Sequence, residues 1–575
     1  MKTNNLNVFW LLVTGYLLLV TTSPLAHAAD VSAFDTLAKI PVQHSGRVKP
    51  FQSFAQETVL YITGKNHFQK LSPTEAVFSW MAEPEKWIKT PLIPVSYQPL
   101  QQEFSLAVIG GRISPEMVLG HQAFLKQVED ALARRRQKER LSRLEEKRIE
   151  VYERAAFFKI VGQGKLPGWI AHPEDSRKSW LPLEALVSPE GETLLIQFFP
   201  EENVQKSKAA LQVLFKDLRE KRSAEITLES AAEFSQSLKQ LFESRGIVLD
   251  QNLLQTEVTY NQVKPFSWAW KFYFGSVLVS LILMSGGFRL IGKLGEGIGR
   301  TGGFFLFLTG FVLHSYGFYL RCVIAGRPPV TNMYESIIWV SWAVVFFSLI
   351  LSLVYRSVFI RVAAAVVSTL ALIIAQGFPT LLDPSVSPLV PVLRSNLWLT
   401  VHVLTITLSY GAFALGWGIG HAAIFNFAFA RDKNETQQTL TLYLYRTLQI
   451  GVVLLASGTV LGGVWANYSW GRFWGWDPKE TWALIALLGY LAVLHGRFAG
   501  RLDSFGFAVW STVAFLGILM AWYGVNFVLA AGLHSYGFGG GGLPYVLAVV
   551  LLDLALISGA AFAYKKRNRQ PVVSK

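Results

Sequence analysis

The sequence contains one cysteine, Cys322, and few charged residues. A lone thiol excludes a disulfide framework within the chain, and it excludes a dithiol redox centre of the Cys-x-x-Cys kind. Charged residues make up 16% of the 575 residues, against about 25% in a typical soluble domain, whereas hydrophobic residues make up 51%. The composition therefore indicates a membrane protein, and any thiol that its function needs must come from a partner.

The net charge of +14 does not by itself indicate a nucleic-acid partner. Much of the excess lies beside apolar runs, where the preference of cytoplasmic loops for Lys and Arg explains it better. We therefore expect membrane lipid, and no nucleic acid, as the surroundings of this chain.

The first segment resembles an export signal. Lys2 precedes an apolar run from Val8 to Val20, and Ala26-His27-Ala28 follows shortly after. A basic start, a short apolar core and an Ala-x-Ala ending are typical of a secretory signal peptide. We interpret residues 1–28 as a signal peptide, with an uncleaved anchor as the alternative, and predict that residues 29–265 are exported in either case.

The predicted exported region mixes charged and apolar segments as a soluble domain does. Residues 41–50 form an extended stretch with a turn, residues 127–159 follow a helical pattern, and residues 193–199 are predicted to be a strand. The helical segment is very highly charged, which is typical of a solvated helix with ion pairs. A docking surface for an acidic partner is the alternative interpretation. We predict a mixed α/β domain without a recognisable catalytic constellation.

The remaining chain, residues 266–575, carries one apolar run after another. A helix needs about 20 such residues to cross a bilayer. The candidate spans are residues 268–290, 303–322, 335–355, 359–377, 399–428, 446–465, 480–497, 507–530 and 543–564. With the N-terminal domain outside, the predicted inner loops hold most of the Lys and Arg residues. We predict a polytopic α-helical membrane protein with about nine transmembrane helices and an N-terminal mixed α/β extracytoplasmic domain, in a bacterial inner (cytoplasmic) membrane.

Tryptophan is concentrated before the seventh predicted span. Five of the 18 tryptophans fall between residues 465 and 482: Trp465, Trp470, Trp474, Trp476 and Trp482. A belt at a membrane interface is the ordinary explanation of tryptophan near span ends, but a belt places one or two residues per helix end. This density suits a large flat ligand that stacks on indole rings, such as a porphyrin.

Asp477-Pro478-Lys479-Glu480 is typical of a helix start. Asp477 is predicted to be the N-cap, Pro478 the first helical residue, and Glu480 the residue that closes a capping box. This role fixes the position of the preceding loop and is compatible with a second, functional role for Asp477.

These residues carry a family resemblance. Trp470-Gly471 through Trp482 resembles the tryptophan-rich WWD signature of heme-handling proteins, which include CcsA (also called ResC), CcmC and CcmF. Residues 326–336, Gly-Arg-Pro-Pro-Val-Thr-Asn-Met-Tyr-Glu-Ser, and residues 397–402, Leu-Trp-Leu-Thr-Val-His, resemble two further elements of CcsA. The sequence is similar to the CcsA/ResC family of System II cytochrome c biogenesis, with an N-terminal exported extension.

Two histidines are predicted to lie on the same side as the tryptophan signature. His402 lies about one turn inside the outer end of the fifth span, and His534 lies just beyond the outer end of the eighth. Histidine is a strong iron ligand, and two imidazoles on opposite faces of a porphyrin would give a six-coordinate heme. In the family these positions are the two external histidines beside the signature.

His314 and His495 lie within the second and seventh predicted spans, where a polar residue is costly and usually functional. The family resemblance implies that this pair is an inner heme site supplied from the cytoplasm. Hydrogen bonding to neighbouring helices is the alternative. His421 is the lesser candidate, and we interpret it as structural.

Arginine binds carboxylates bidentately, and heme carries two carboxylates. Arg327, Arg394, Arg472 and Lys479 are predicted to lie outside, where topology does not explain them. We predict Arg327, Arg394 and Arg472 as propionate-binding residues, with solvated loop charge as the alternative.

The resemblance implies heme b as substrate and attachment to the Cys-x-x-Cys-His motif of apocytochrome c through thioether bonds, as in a holocytochrome c synthase (heme lyase). The residues predicted to carry the reaction are His402, His534, Trp474, Trp476 and Asp477. The implied partners are a ResB/Ccs1-type membrane protein and a thioredoxin-like thiol reductant. Two alternatives are a CcmC-like heme exporter without ligase activity, and a b-type quinol oxidoreductase with two histidine pairs in a helix bundle.

Overall fold

The computed structural model describes residues 32–104, 107–175, 178–286, 292–355, 357–388, 396–430, 434–529 and 542–568. The predicted signal peptide, Arg394 and His534 lie outside these ranges. The described residues divide into two compact units. The N-terminal unit runs to Val263 and includes Ser385–Pro388, and the membrane unit holds the described residues from Lys264 to Pro384 and from 396 onward.

The N-terminal unit is mostly helical, with a small antiparallel sheet. Its helices are α1 (Ala33–Ala38), α2 (Phe51–Thr63), α3 (Pro73–Ala82), α4 (Pro84–Trp87), α5 (Gln98–Phe104), α6 (Pro115–Gly120), α7 (Gln122–Arg136), α8 (Arg143–Gly162), α9 (Pro189–Phe198), α10 (Glu201–Glu220), α11 (Ala224–Glu243) and α12 (Gln251–Val263). Its strands are β1 (Pro41–His44), β2 (Arg47–Pro50), β3 (Ile93–Pro94), β4 (Arg112–Ile113), β5 (Gly168–Ile170) and β6 (Leu181–Pro182). One sheet has the order β2-β1-β5-β6 and the other pairs β3 with β4. The prediction of a mixed α/β domain is confirmed.

The stretch 41–50, predicted to be extended with a turn, is a β-hairpin. Pro41 pairs with Pro50 and His44 with Arg47. The two connecting residues, Ser45 and Gly46, both have positive φ, which is the backbone of the tight turns that match the twist of paired strands. Two ion pairs attach strand β2 to neighbouring helices. Arg47 pairs with Glu257 of α12 at 2.7 Å, and Lys49 pairs with Glu57 of α2 at 2.6 Å.

The charged segment 127–159 is helical, but it is two helices and not one. Helix α7 ends at Arg136, and α8 begins after the N-cap Ser142, whose side chain and Glu145 form a capping box. The signal for this break was the Ser-x-x-Glu spacing. Ion pairs join the two helices, including Arg134 with Glu145 at 2.5 Å, which supports the interpretation as solvated helices with paired charges.

The predicted strand at residues 193–199 is wrong, because this segment belongs to helix α9. Ser188 caps the helix, and a proline occupies its first turn. Within the helix Leu195 is buried, and Phe199, the extended residue that ends the helix, is buried as well. The apolar side chains of this segment thus reach the core from a helix and its C-cap.

The membrane unit is a bundle of long helices. They are α13 (Pro265–Met284), α14 (Gly292–Ala325), α15 (Met333–Tyr355), α16 (Val358–Gly377), α17 (Asn396–Trp398), α18 (Leu404–Phe429), α19 (Asn434–Trp470), α20 (Pro478–Phe498), α21 (Ser504–Val513), α22 (Phe515–Leu519) and α23 (Leu543–Asn568). Two segments are π-helical. Leu399–Val403 leads directly into α18, and Met520–Leu529 follows directly after α22.

Nine helical stretches within the described residues are long and apolar enough to cross a membrane. The prediction of a polytopic α-helical membrane protein is therefore confirmed. The fifth, Thr400–Phe429, has the largest buried share, and α18 packs against α15, α16, α19, α21 and α23. This central helix begins at the π-helical segment that carries His402, so the most enclosed part of the bundle supports that residue.

Much of the tryptophan signature, predicted to be a loop, is helical. Helix α19 continues to Trp470, whereas the sixth span was predicted to end at residue 465. Only residues 471–477 connect α19 to α20. Trp465 and Trp470 therefore stand on one helix, Trp482 on the next, and Trp474 and Trp476 in the short connection.

Candidate functional site

Four separate parts of the membrane unit line one cavity. The cavity has a volume of about 150 Å³. The lining residues include Met333 of α15, His402, Trp474 of the tryptophan signature, and Trp522. Two sequence elements that resemble CcsA, residues 326–336 and 397–402, thus meet the tryptophan signature in space.

His402 lies in the wall of this cavity, in the π-helical segment Leu399–Val403. Its Nδ1 is 2.9 Å from the carbonyl oxygen of Gly458 on α19. A carbonyl only accepts, so Nδ1 carries the proton and Nε2 carries the lone pair. This is the arrangement in which a backbone carbonyl orients a metal-binding histidine and fixes its tautomer. Wider π-helical turns often occur at functional sites.

A glycine on α19 makes room for the His402 ring. A Cβ at Gly462 would lie 2.6 Å from Cε1 of His402, closer than any real Cβ contact. The hydrogen-bonding carbonyl of Gly458 is one turn earlier on the same helix. The imidazole thus packs closely against the backbone of Gly462 and is bound through Nδ1 to the Gly458 carbonyl.

The predicted tryptophans occupy different positions. Trp465 lines the cavity and lies nearly parallel to the His402 ring, with centroids 6.0 Å apart. Trp470 packs edge-on against Trp465 at 4.8 Å. Trp474 also lines the cavity and meets Trp476 edge-on at 5.8 Å. Trp482 lies in the first turns of α20 and is not among the residues that line the cavity.

Trp476 is 70% exposed and has a φ of +56°. A bulky residue rarely adopts this left-handed conformation, which costs about 1–3 kcal/mol and persists only where the surroundings enforce it. The cap of α20 follows directly and supplies that constraint. The connection thereby presents a large aromatic surface outward instead of burying it.

The capping box predicted at the start of α20 is present. The Asp477 carboxylate accepts the backbone N–H of Lys479 at 3.0 Å. The Glu480 carboxylate accepts those of Asp477 and Gly475 at 3.1 and 2.8 Å. Two N–H groups of the connection and one of the first turn of α20 are thus bound by two carboxylates, which fixes the connection to the start of the helix.

The Asn-Met-Tyr-Glu element forms another part of the wall. Asn332 accepts the N–H of Glu335 and caps α15, and Met333 lines the cavity. Glu335 is fully buried and pairs with Arg321 at 2.8 Å and with Arg327 at 3.1 Å. The Asn-x-x-Glu spacing before an apolar run was the sequence signal for this cap, but its arginine partners had no such signal.

The described cations predicted near the ligand have protein partners. Arg327 pairs with Glu335, and Arg472 lies 3.4 Å from a Glu480 oxygen and over the Trp470 ring. Neither of these arginines lines the cavity, whereas Lys479 does. Their assignment to heme propionates stays a prediction.

The structure does not bring the inner pair into contact among the residues it describes. His314 on α14 is 0% exposed. Its Nδ1 meets the hydroxyl of Tyr273 at 3.2 Å, and its Nε2 meets the carbonyl of Ile338 at 3.1 Å. His495 is exposed on α20, with Nδ1 2.8 Å from the Leu491 carbonyl. Iron ligation by both would need a rearrangement, so the inner site also stays a prediction.

His421 pairs with Asp553 of α23 at 2.9 Å between Nε2 and Oδ1. Its Nδ1 lies 3.0 Å from the Trp417 carbonyl. The pair joins α18 to the last helix, which supports the structural interpretation of His421.

Sequence reasoning missed several residues of the cavity wall, namely Tyr410, Trp522, Asn526 and Phe527. Asn526 had the clearest signal, because a polar side chain within an apolar span is costly and usually functional. The three aromatic residues had no signal, since aromatic side chains are common throughout the spans.

Comparison with known proteins agrees with this geometry. The family described as cytochrome C assembly protein matches residues 330–534, which include the cavity-lining elements. CcsA of Guillardia theta, described as a cytochrome c biogenesis protein, is 35% identical over 244 residues, covering 38% of this chain and 79% of that protein. A CcsA of Prochlorococcus marinus is 36% identical over 245 residues, with coverage of 38% and 78%.

The protein NrfI of Wolinella succinogenes is 30% identical over 513 residues. The match covers 86% of this chain, but the chain spans only 53% of that relative. Since the membrane unit makes up little more than half of the chain, this match must extend into the N-terminal unit. The chain is a membrane protein of cytochrome c biogenesis, and it belongs to the CcsA family.

Proposed function

We propose that this chain holds heme b in the cavity beside His402, at the outer face of a bacterial inner membrane, and attaches it to apocytochrome c. The observation that carries the proposal is the His402 imidazole, whose Nδ1 is fixed by the Gly458 carbonyl beside an aromatic-walled cavity. The flat, apolar faces of a porphyrin suit the rings of Trp465, Trp474 and Trp522 in that wall.

The attachment reaction needs positioning more than acid–base chemistry. Each thiol of a Cys-x-x-Cys-His segment adds across one vinyl group of heme. A C–S bond forms at one vinyl carbon, the thiol proton ends on the other, and no external oxidant is consumed. The thiols must arrive reduced, which is the proposed task of a thioredoxin-like partner, because the chain has a single cysteine.

His534 is the proposed second axial ligand, on the strength of the family resemblance. The histidine of the apocytochrome motif would then replace one of the two protein imidazoles on iron. Trp474, Trp476 and Asp477 are proposed to hold the reacting edge of heme at the rim, where the capping box fixes the connection. A ResB/Ccs1-type protein is the proposed membrane partner, and delivery of heme from the inner side through His314 and His495 is the proposed route.

The test is an absorption spectrum of the full-length protein, purified from heme-replete cells, for wild type and His402→Ala. We expect low-spin heme in the wild type and its loss or conversion to a high-spin form in the variant, because one strong-field nitrogen ligand is removed. The matched control is His67→Ala, which removes an exposed histidine of the N-terminal unit and should leave the spectrum unchanged. A wild-type protein without heme would overturn the proposal.

Attachment is tested separately from binding. The chain is co-expressed with an apocytochrome in cells that lack their own cytochrome c maturation, with and without the proposed partner, and covalent heme is stained on denaturing gels. Stained apocytochrome that depends on His402 supports the ligase activity. Bound heme without any attachment in either case would favour the exporter alternative.

A further inference from the structure

A lysine stands where helix chemistry favours an acid. Lys479 lies in the first turn of α20, and the positive end of the helix dipole disfavours a cation there. The side chain lines the cavity together with His402 and Trp474. Helix stability therefore does not explain this residue, and its place in the cavity wall points to the ligand.

The Lys479 ammonium is held by a neutral group. Its Nζ donates to Oδ1 of Asn526 at 3.3 Å, and Asn526 in turn donates to the carbonyl of Trp522. An ammonium has three donors, so two remain beyond the bond to Asn526. The amide chain orients Nζ without neutralising its charge.

The other charged residues near the cavity are engaged by protein groups. Glu480, the acidic residue of the cavity wall, is engaged by Arg472 and by two N–H groups of the connection. Asp477 accepts the backbone N–H of Lys479, and its negative charge also attracts the ammonium. Arg327 is paired with Glu335 outside the cavity. In the described part of the cavity wall, Lys479 is thus the cationic side chain that an anionic ligand meets.

We propose that Lys479, positioned by Asn526, binds a carboxylate of the cavity ligand, so that the cavity selects porphyrins with free propionates. This inference rests on the proposed function, and it names the polar end of the same site. A charge-assisted bond from ammonium to carboxylate is about twice as strong as a neutral hydrogen bond. It would also fix the rotation of the porphyrin in its plane, and so decide which edge carries the vinyl groups to the rim.

The experiment compares two ligands on the purified full-length protein in detergent micelles. Heme and heme dimethyl ester, in which both propionates are capped, are titrated and followed by absorption. We expect wild type to bind heme about tenfold or more tightly than the ester, a difference of about 1.4 kcal/mol. Lys479→Met should weaken heme binding by a similar factor and abolish the preference, while Lys479→Arg should retain part of it.

The control is Lys565→Met, which removes an exposed lysine near the end of α23 and should keep the full preference. Equal affinity of wild type for both ligands overturns the inference even if Lys479→Met fails to fold, because that comparison needs no variant. A preference that survives in folded Lys479→Met overturns it as well. If wild type binds neither ligand, the proposed function itself fails.

Discussion

His402 and His314 show two ways in which one bundle treats an imidazole. His402 is half-buried in the wall of the cavity, with its Nδ1 bound to a carbonyl and its ring beside Trp465. His314 is fully enclosed, with a hydroxyl at one ring nitrogen and a carbonyl at the other. The first arrangement orients a ring toward a ligand, whereas the second satisfies a polar group within the bundle.

The packing around the two rings also differs, because large side chains enclose His314 and a glycine lies beside His402. His314 is surrounded by Phe266 and Phe318, with ring centroids 5.4 Å away in each case. Beside His402 a glycine replaces the side chain that would fill the space. A polar residue in a membrane helix thus indicates a ligand site only when its surroundings leave room for the ligand.

The largest expected effect is on stability, from His314→Ala. The change removes a buried ring together with its contacts to the Tyr273 hydroxyl and the Ile338 carbonyl, so we expect a loss of about 3 kcal/mol in the free energy of unfolding. Thermal unfolding in detergent measures this, with His495→Ala at an exposed site as the control. A variant of unchanged stability but altered heme spectrum would instead make His314 a ligand.

Gly462→Ala should act on binding instead of stability. The new Cβ would lie 2.6 Å from the His402 ring, so the imidazole must move away from its place in the cavity wall. We expect heme affinity to fall about tenfold, or about 1.4 kcal/mol, in an absorption titration.

The matched control for this change is Gly489→Ala, where a Cβ would meet nothing within 4 Å. Both substitutions favour the helix equally by propensity, so a difference between them reports the displaced ring. Equal heme affinity in the two variants would show that the position of His402 does not govern binding.

A smaller effect is expected from Trp465→Leu. The indole contributes its stacking on the His402 ring and part of the cavity wall, and an aromatic pair contributes about 0.5–1.5 kcal/mol beyond its buried area. Heme affinity should therefore fall by a few-fold, measured by the same titration. Trp510→Leu, at a position that is 55% exposed, should leave it unchanged, and a larger loss there than at Trp465 would contradict the assignment.

The smallest effect that we expect is a pH dependence of stability, and it comes from His44 in the N-terminal unit. Burial, and then the charge of Lys49, lower the pKa of His44 from 6.5 to about 4. The unfolded chain therefore binds a proton more readily than the folded one. The contribution of His44 to stability is complete above pH 6.5 and is lost as the pH falls toward 4.

Hydrogen–deuterium exchange of peptides from residues 41–63 in the full-length protein measures this dependence. Exchange should accelerate between pH 6.5 and 4 more steeply in wild type than in His44→Leu, after correction for the intrinsic pH dependence of exchange. The same slope in both proteins would remove His44 as its cause.

Part of the site was predictable because its signals are local. The capping box of Asp477 and Glu480 follows from residue types three positions apart, and its hydrogen bonds are present. The hairpin at residues 41–50 likewise follows from its turn residues. The strand predicted at residues 193–199 failed because both periods fit a short apolar run, and burial against the rest of the unit decided for the helix.

The choice among the cations was not local. Arg327, Arg472 and Lys479 look equivalent in the sequence, since each lies near a predicted outer helix end. Arg327 and Arg472 contact glutamates, whereas Lys479 reaches the cavity beside Asn526, 47 residues away in the chain. Which cation faces a ligand depends on how the helices are placed around it.

The sequence by itself determined the number of spans, the start of α20 and the family, because hydropathy, capping and motif spacing act over a few neighbouring residues. Tertiary structure alone decided that the Gly458 carbonyl and the Gly462 backbone meet His402 from another helix. It also decided that both nitrogens of His314 are engaged within the bundle. The physical reason is that these hydrogen bonds and close approaches join residues far apart in the chain, and only the packing of complete helices brings them together.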